Sequence, residues 1–214
     1  MLVGKRMTPN PITVRDDTGI DDALKLMRDK KVRRLPVLNA KGELVGIVAE
    51  KDILYASPSP ATSLSIHEIH YLVSRIKVAE IMTKNVITVS DDTPLEEAAR
   101  VMADNQIGAL PVMHDSKLVG IVTETDLFKI FLELLGARET GVRVTMKVPE
   151  GQAMLPLITG TISRLEGHVL ALTAWMADEP GTRVVTVKVS GVDRKKLVDS
   201  LGDVGVEFLD VRES

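Results

Sequence analysis

A long internal repeat constrains the fold of this chain more than any other feature. Setting Val3 against Val78 brings a series of identical residues into register along both segments. The identical positions include three motifs that each occur twice: Met-Thr at 7 and 82, Leu-Pro-Val at 35 and 110, and Leu-Val-Gly-Ile-Val at 44 and 118. The repeat is longer than the roughly 20–50-residue units of solenoid proteins, so it indicates a duplicated domain.

Each copy of the repeat predicts the element order β-α-β-β-α. In the first copy the predicted elements are strands at Ile12–Val14, Leu35–Leu38 and Leu44–Ala49, with helices after Thr18 and at Lys51–Tyr55. In the second copy Thr93, followed by Pro94, predicts the start of the first helix. We therefore expect an α/β fold (α+β) with one domain at 1–57, a linker and connecting helix at 58–76, and a second domain at 77–136.

The C-terminal part, residues 141–214, has a different pattern. Apolar residues alternate with polar ones from Val142 to Val148, which is typical of a half-buried strand. The elements predicted after it are a helix at Leu155–Leu165, strands at His168–Met176 and Thr182–Val189, a helix at Arg194–Leu201 and a strand at Val206–Val211. This β-α-β-β-α-β order predicts a separate ferredoxin-like domain.

The composition excludes several function classes. The formal net charge is -3, with 27 Lys and Arg against 30 Asp and Glu, so we expect no nucleic-acid partner. The chain has no cysteine, which excludes disulfides, thiol nucleophiles and cysteine-ligated metals. No apolar stretch follows Lys5 and Arg6 or is long enough to span a membrane, so we expect a cytoplasmic protein without a membrane partner.

Two histidines on the expected connecting helix are candidate metal ligands. His67 and His70 are three residues apart and could face the same side of a helix. Because no third ligand accompanies them, we expect no metal site. No nucleophile with its base and no glycine-rich phosphate loop can be assembled from the sequence, so we expect neither catalytic residues nor a catalytic cofactor.

The most informative short motif lies where a predicted buried strand runs into a helix. The hydroxyl of Thr123 and the free amides of this helix start could bind a phosphate, which the helix dipole favours. Asp126 offers two acceptor oxygens that could bind the adjacent hydroxyls of a ribose. A Thr and an Asp three residues apart also form an ordinary capping box, so the residues alone leave both interpretations open.

The repeat resembles the CBS domain family, in which two copies form a tandem pair called a Bateman module. The resemblance covers about residues 1 to 135 and rests on Met82-Thr83, Ile87 to Val89, Leu110 to Val112 and Gly120 to Asp126. It implies a regulatory module that binds an adenosine-containing ligand in a cleft between the copies. The Thr and Asp of one copy would bind phosphate and ribose, facing the residues before the Leu-Pro-Val strand of the other copy.

By this resemblance Arg33 and Arg34 face the phosphates bound by Thr123 and Asp126, and the planar guanidinium suits that role. The wall around the adenine is expected from Met82, Thr83, Ile87, Ile107 and Gly108. The other cleft keeps only Asp52, because Ala49 replaces the threonine and Gly108 and Ala109 stand where the arginines would be. We expect that cleft to be weak or empty.

The C-terminal domain resembles the ACT domain family, whose members often pair and bind amino acids at the subunit interface. This resemblance rests on the element order and on Gly151 in the first turn, with Ala153 and Met154 departing from the usual pattern. Two CBS copies followed by such a domain resemble the acetoin-utilisation regulatory proteins of bacteria. We also expect a homodimer, because the apolar helix positions exceed the needs of one small core. These positions are Ile20, Leu24, Met27, Leu95, Ala98 and Met102.

The sequence thus favours a non-enzymatic sensor of an adenine nucleotide such as AMP, ADP or ATP. Ligand binding would rearrange a dimer and pass the signal to the ACT-like domain or to a partner enzyme. Two alternatives stay open: an interaction or dimerisation module with vestigial clefts, and a sensor of S-adenosylmethionine or NAD.

Overall fold

The fold is described from a computed structural model covering residues 1–56, 75–150 and 153–213. It divides into two compact units, Met1–Leu127 and Phe128–Ser214. Most of the expected connecting helix, including His67 and His70, lies outside the described residues, as does Gly151. No helix within the described ranges is long and apolar enough to cross a membrane.

The first unit contains both copies of the repeat, and the predicted β-α-β-β-α order is confirmed in each. A 3-10 turn at Val3–Lys5 precedes the first copy, whose elements are β1 Thr8–Pro9, β2 Val14–Arg15, α1 Ile20–Lys30, β3 Arg34–Leu38, β4 Leu44–Ala49 and α2 Glu50–Ala56. The second copy contains α3 Val78–Ile81, β5 Val89–Ser90, α4 Leu95–Asp104, β6 Ala109–His114, β7 Lys117–Thr123 and α5 Glu124–Leu134.

Two predicted helix starts are wrong by one residue. The N-cap of α1 is Gly19 rather than Thr18, and the N-cap of α4 is Pro94 rather than Thr93. The Thr93 hydroxyl instead accepts a hydrogen bond from the Ser90 amide at 3.1 Å. It therefore closes the turn after β5 and does not cap the helix that follows.

The apolar faces of α1 and α4 lie inside the unit. Most of the helix residues expected at a dimer interface are at most 8% exposed in the single chain: Ile20, Met27, Leu95, Ala98 and Met102. The sixth, Leu24, packs against the core of the first copy. The dimer argument from these residues is therefore wrong, because their apolar surface is already used to bury each helix on its own sheet.

The two copies exchange their N-terminal segments. The sheet of the second copy has the order β1-β7-β6-β5, with Thr8 of the first copy paired with Ile121. In the matching arrangement Thr83 of the second copy forms an antiparallel bridge to Ile47 beside the sheet β2-β3-β4. The Met-Thr segment of each copy therefore lies beside the last strand of the other copy, just before that copy's second helix.

The second unit begins within α5 and continues with the C-terminal sheet. Its elements are β8 Val142–Pro149, α6 Met154–Arg164, β9 His168–Met176, β10 Thr182–Ser190, α7 Arg194–Gly202 and β11 Glu207–Glu213, which confirms the predicted β-α-β-β-α-β order. The sheet order is β11-β8-β10-β9 and every pair is antiparallel. This unit starts at Phe128, and Phe131 and Leu135 line a cavity of its sheet.

The core of the second unit lies on one face of its sheet. Alternate residues of β8, among them Val144 and Met146, are fully buried and pack with Ile158 of α6 and Leu197 of α7. The residues between them, including Arg143 and Thr145, belong to the opposite face. This opposite face is therefore available for other contacts.

Candidate functional site

The start of α5 has the geometry of a capping box. The Thr123 amide and hydroxyl both donate to Asp126 Oδ2, at 3.0 and 2.8 Å, and the Asp126 amide donates to Thr123 Oγ1 at 3.3 Å. The other carboxylate oxygen, Oδ1, has no protein partner in the described ranges. The capping arrangement is thus present, and one acceptor oxygen of Asp126 remains for a further donor.

Two arginines of the first copy contact the same helix start. Arg33 donates from Nη2 to Thr125 Oγ1 at 3.3 Å, and Arg34 Nη2 lies 4.0 Å from Glu124 Oε2. The Arg34 side chain is only 26% exposed, whereas that of Glu124 is 67% exposed. These contacts are weak in geometry, so an incoming anion could displace them at little cost.

These groups line a cavity of about 530 Å³ within the first unit. The lining residues are Thr8, Asn10, Pro11, Ile12, Lys31, Val32, Arg33, Arg34, Pro36, Ile121, Thr123, Thr125 and Asp126. The lining thus combines the arginines and the capping pair with aliphatic side chains. The volume is within the range of roughly 300–1,000 Å³ that is typical of small-molecule sites.

The cavity is not lined by the residues expected to form the adenine wall. The five residues assigned to it, Met82, Thr83, Ile87, Ile107 and Gly108, are not among the residues that line this cavity. The cavity wall is formed instead by the equivalent residues of the first copy, among them Thr8, Ile12 and Val32. The reason is the exchange of segments, which pairs β1 with β7 and places it beside Thr123.

The displaced wall residues have other surroundings. Thr83 pairs with Ile47, and any side chain at Gly46 would overlap Met82, so both residues belong beside the first copy's sheet. Ile87 is 38% exposed. The Ile107 amide donates to the Met102 carbonyl after α4, while Gly108 lies against Arg34 and Glu124 at the edge of the cavity.

Sequence reasoning missed one cation of the cavity. Lys31 follows α1 with a left-handed φ of 55°, as Gln106 follows α4 with a φ of 53°. This turn brings Lys31 to the cavity together with Arg33 and Arg34. The signal was present in the sequence, because Lys31 stands two residues before the arginine pair while its repeat counterpart is uncharged.

The equivalent helix start in the first copy has fewer ligand-binding groups. Asp52 Oδ2 accepts from the Ala49 amide at 2.8 Å, which reproduces the cap without the threonine hydroxyl. Gly108 and Ala109 occupy the repeat positions of Arg33 and Arg34. The two helix starts thus share a cap but differ in charge.

The family is decided by comparison with known proteins. The model of the family described as CBS domain matches residues 3–59 and 78–133. The chain is a CBS domain protein. The two matched segments are the two copies of the repeat, so the first unit is a tandem CBS pair, or Bateman module.

Solved structures of other CBS proteins resemble this pair. The CBS domain pair of protein MJ0100, in complex with 5′-methylthioadenosine and S-adenosyl-L-methionine, is 30% identical with a TM-score of 0.52, covering 65% of this chain and 98% of that one. CBSX2 in complex with AMP is 36% identical with a TM-score of 0.51, covering 61% and 96%. A putative acetoin utilization protein (AcuB) from Vibrio cholerae is 32% identical with a TM-score of 0.53, covering 65% and 96%.

Proposed function

We propose that this CBS protein is a non-enzymatic regulator that binds one adenine nucleotide in the cavity between its CBS domains. One observation carries the proposal: Arg33 and Arg34 of the first copy line the same cavity as Thr123 and Asp126 of the second. Structures of similar CBS pairs hold AMP or S-adenosyl-L-methionine with 5′-methylthioadenosine, which supports an adenosine-containing ligand.

The chemistry of the cavity suggests how the nucleotide is held. The phosphate lies against the two arginines, Lys31 and the amides at the start of α5, where the helix dipole adds a favourable field. The ribose hydroxyls donate to Asp126, whose Oδ1 is free of protein donors among the described residues. The base packs on the aliphatic wall that includes Ile12.

Binding would also supply a signal. A phosphate at this position replaces the Arg33 contact with Thr125 and the Arg34 approach to Glu124, both of which join the two copies. The ligand therefore makes contacts that differ from those of the empty state, which is the requirement for shifting a conformational equilibrium. We propose that the shift is passed through a homodimer to the C-terminal domain or to a partner enzyme.

The proposal of a homodimer rests on exposed apolar residues outside the buried faces of α1 and α4. Large apolar side chains remain exposed on α2, where Leu54 is 54% and Tyr55 is 86% exposed, and on α5, where Phe128 is 67% exposed. Exposed apolar surface of this kind is typical of protein interfaces.

The ferredoxin-like order supports assignment of the C-terminal domain to an ACT-like type, and the similarity to AcuB supports a role in acetoin or carbon metabolism.

The charge of the cavity favours AMP-like ligands over S-adenosylmethionine. Three cationic side chains, Lys31, Arg33 and Arg34, line it with a single carboxylate, Asp126. An anionic phosphate is attracted by this set, whereas the positive sulfonium of S-adenosylmethionine is repelled.

Isothermal titration of AMP, ADP, ATP, NAD, S-adenosylmethionine and adenosine tests the proposal. We expect one phosphate-bearing nucleotide per chain, recovered chemically unchanged, with adenosine and S-adenosylmethionine at least tenfold weaker. Arg33→Gln and Arg34→Gln should each raise the Kd of AMP about tenfold, since a charge-assisted hydrogen bond contributes roughly 1.5–3 kcal/mol. Arg15→Gln, which removes a cation paired with Asp17 outside the cavity, is the control.

Two results would contradict the proposal. Equal affinity for AMP and adenosine would mean that the cationic side chains of the cavity do not bind phosphate. No binding heat with any of the six ligands would favour the interaction module with vestigial clefts.

A further inference from the structure

The open face of the C-terminal sheet carries three cations side by side. Lys188 of β10 pairs in register with Arg143 of β8, and Arg143 pairs in register with Arg212 of β11. All three line one cavity. Directly opposed residues on neighbouring strands have Cβ atoms about 4.5–5.5 Å apart, and like charges at such positions destabilise a sheet.

The protein neutralises this row only in part. Asp210 accepts hydrogen bonds from Arg143 at 3.0 Å and from Arg212 at 2.6 Å, and the Arg212 hydrogen bond is the main cause of a lowered Asp210 pKa. Lys188 is 4% exposed and donates to the Gly136 carbonyl at 3.0 Å. Three cations against one carboxylate leave an excess of two positive charges.

One donor of the row has no hydrogen-bond partner among the described residues. Arg143 Nε is buried and forms no hydrogen bond with any described residue. A buried donor of this kind costs free energy unless a ligand or water accepts from it. The row thus combines excess charge with an unfilled donor.

The surrounding cavity suits a small organic molecule. Its volume is about 760 Å³, and its lining residues are Phe131, Leu135, Ala137, Arg143, Thr145, Ala171, Thr173, Trp175, Thr186, Lys188, Asp210 and Arg212. Three threonines occupy the next row of the sheet, and the Thr145 and Thr186 hydroxyls are 2.8 Å apart. Phe131 and Trp175, both about half exposed, supply aromatic surface.

Two other cations of the same sheet lie outside this cavity and are paired with carboxylates. Lys147 is the next cation along β8 on the same face of the sheet. Its Nζ lies 2.9 Å from a carboxylate oxygen of Glu179 and 2.9 Å from one of Glu207. Arg183 on β10 is paired with Glu150 at 3.0 Å. Lys147 and Arg183 thus have carboxylates of their own, whereas Arg143 and Arg212 share Asp210.

We propose that this cavity binds a small organic anion, with its carboxylate or phosphate group on the Arg143–Lys188–Arg212 row and its apolar part against Trp175 and Phe131. A small molecule fits better than a second protein surface because the row includes the buried Lys188, and the volume is within the usual range for small-molecule sites. The site is formed entirely by residues of the second unit and does not depend on the nucleotide cavity.

Trp175 makes this site directly measurable because it is the only tryptophan of the chain. The probes are phenylacetate and phenyl phosphate, with phenylacetamide as the neutral counterpart and inorganic phosphate as the anion without an apolar part. We expect a saturable change in tryptophan fluorescence with at least one aromatic anion. The neutral and the inorganic probes should bind at least tenfold more weakly, and the tighter aromatic anion identifies the preferred acidic group.

Arg212→Gln is the decisive variant, because its side chain is 60% exposed and its replacement leaves the core intact. We expect it to raise the Kd of the preferred probe at least tenfold. Arg183→Gln, a cation of the same sheet outside the cavity, should leave that Kd unchanged. Lys188→Met, with circular dichroism to check folding, should weaken binding further.

The outcomes separate this proposal from the nucleotide proposal. AMP binding to the first unit should be unchanged in Arg212→Gln, so failure of one site leaves the other testable. The anion site is contradicted if no probe gives a saturable change, if phenylacetamide binds as tightly as phenylacetate, or if Arg183→Gln and Arg212→Gln weaken binding equally. Strong protection of Trp175 from acrylamide in the free protein would point to a second copy covering the face, and would also overturn it.

Discussion

At the residue scale, the capping pair at the start of α5 combines a structural and a proposed ligand-binding role. Asp126 uses one oxygen to cap the helix through Thr123, which leaves the other for a donor from outside. The motif alone could not separate the two interpretations, because a capping box and a phosphate site use the same residue types at the same spacing. The neighbouring cations are what distinguish this helix start from that of the first copy.

Asp126→Ala and Asp52→Ala should destabilise the protein to a similar extent. Each aspartate accepts a hydrogen bond from the amide three residues before it, at 3.0 and 2.8 Å. Loss of such a cap costs about 0.5–2 kcal/mol of unfolding free energy. Urea denaturation of both variants measures this cost, and a large loss in only one of them would show that the two caps are not equivalent.

At the element scale, local patterns predicted the elements but not their exchange. The strand at Leu44–Ala49 was predicted with the bounds that the structure has, because its apolar run and flanking turn are local signals. The partner of the Met-Thr segment was not predictable, since Met7 and Met82 carry the same motif and either could pair within its own copy. Only the long-range pairing of Thr8 with Ile121 shows which copy completes the cavity.

Val3→Ala tests the anchoring of the exchanged segment. Val3 is fully buried, and its amide donates to the Thr93 carbonyl of the other copy at 2.9 Å. Removing the buried methyl groups should lower the free energy of unfolding by about 2 kcal/mol. Leu2→Ala is the control, because Leu2 is 45% exposed and should cost far less. Equal losses in urea denaturation would mean that Val3 does not anchor the segment.

At the scale of the whole molecule, the sequence predicted a repeated β-α-β-β-α order and a C-terminal β-α-β-β-α-β order, and the structure contains both. Alternation from Val142 to Val148 identified the half-buried strand, and its even positions are indeed buried. The division between Leu127 and Phe128 lies inside α5, and Phe131 of this helix lines a cavity of the second unit. Residue type alone cannot show where one helix changes its packing partner.

Phe128→Lys should convert the proposed homodimer to a monomer. Phe128 is 67% exposed, and a charge in the centre of an interface is costly to desolvate. Light scattering at micromolar protein concentration measures the mass. Leu2→Lys, at another exposed apolar position, should remain a dimer. A monomeric wild-type protein would rule out the dimer directly.

The central claim is that one nucleotide binds at the helix start that carries both the capping pair and the arginines. Titration calorimetry of AMP with Asp126→Asn and Asp52→Asn tests it most directly. Both variants replace a carboxylate by an amide at the equivalent capping position of the two copies. The account predicts that Asp126→Asn raises the Kd of AMP at least tenfold, about 1.4 kcal/mol, while Asp52→Asn leaves it unchanged. Equal losses, or a larger loss in Asp52→Asn, would contradict the account.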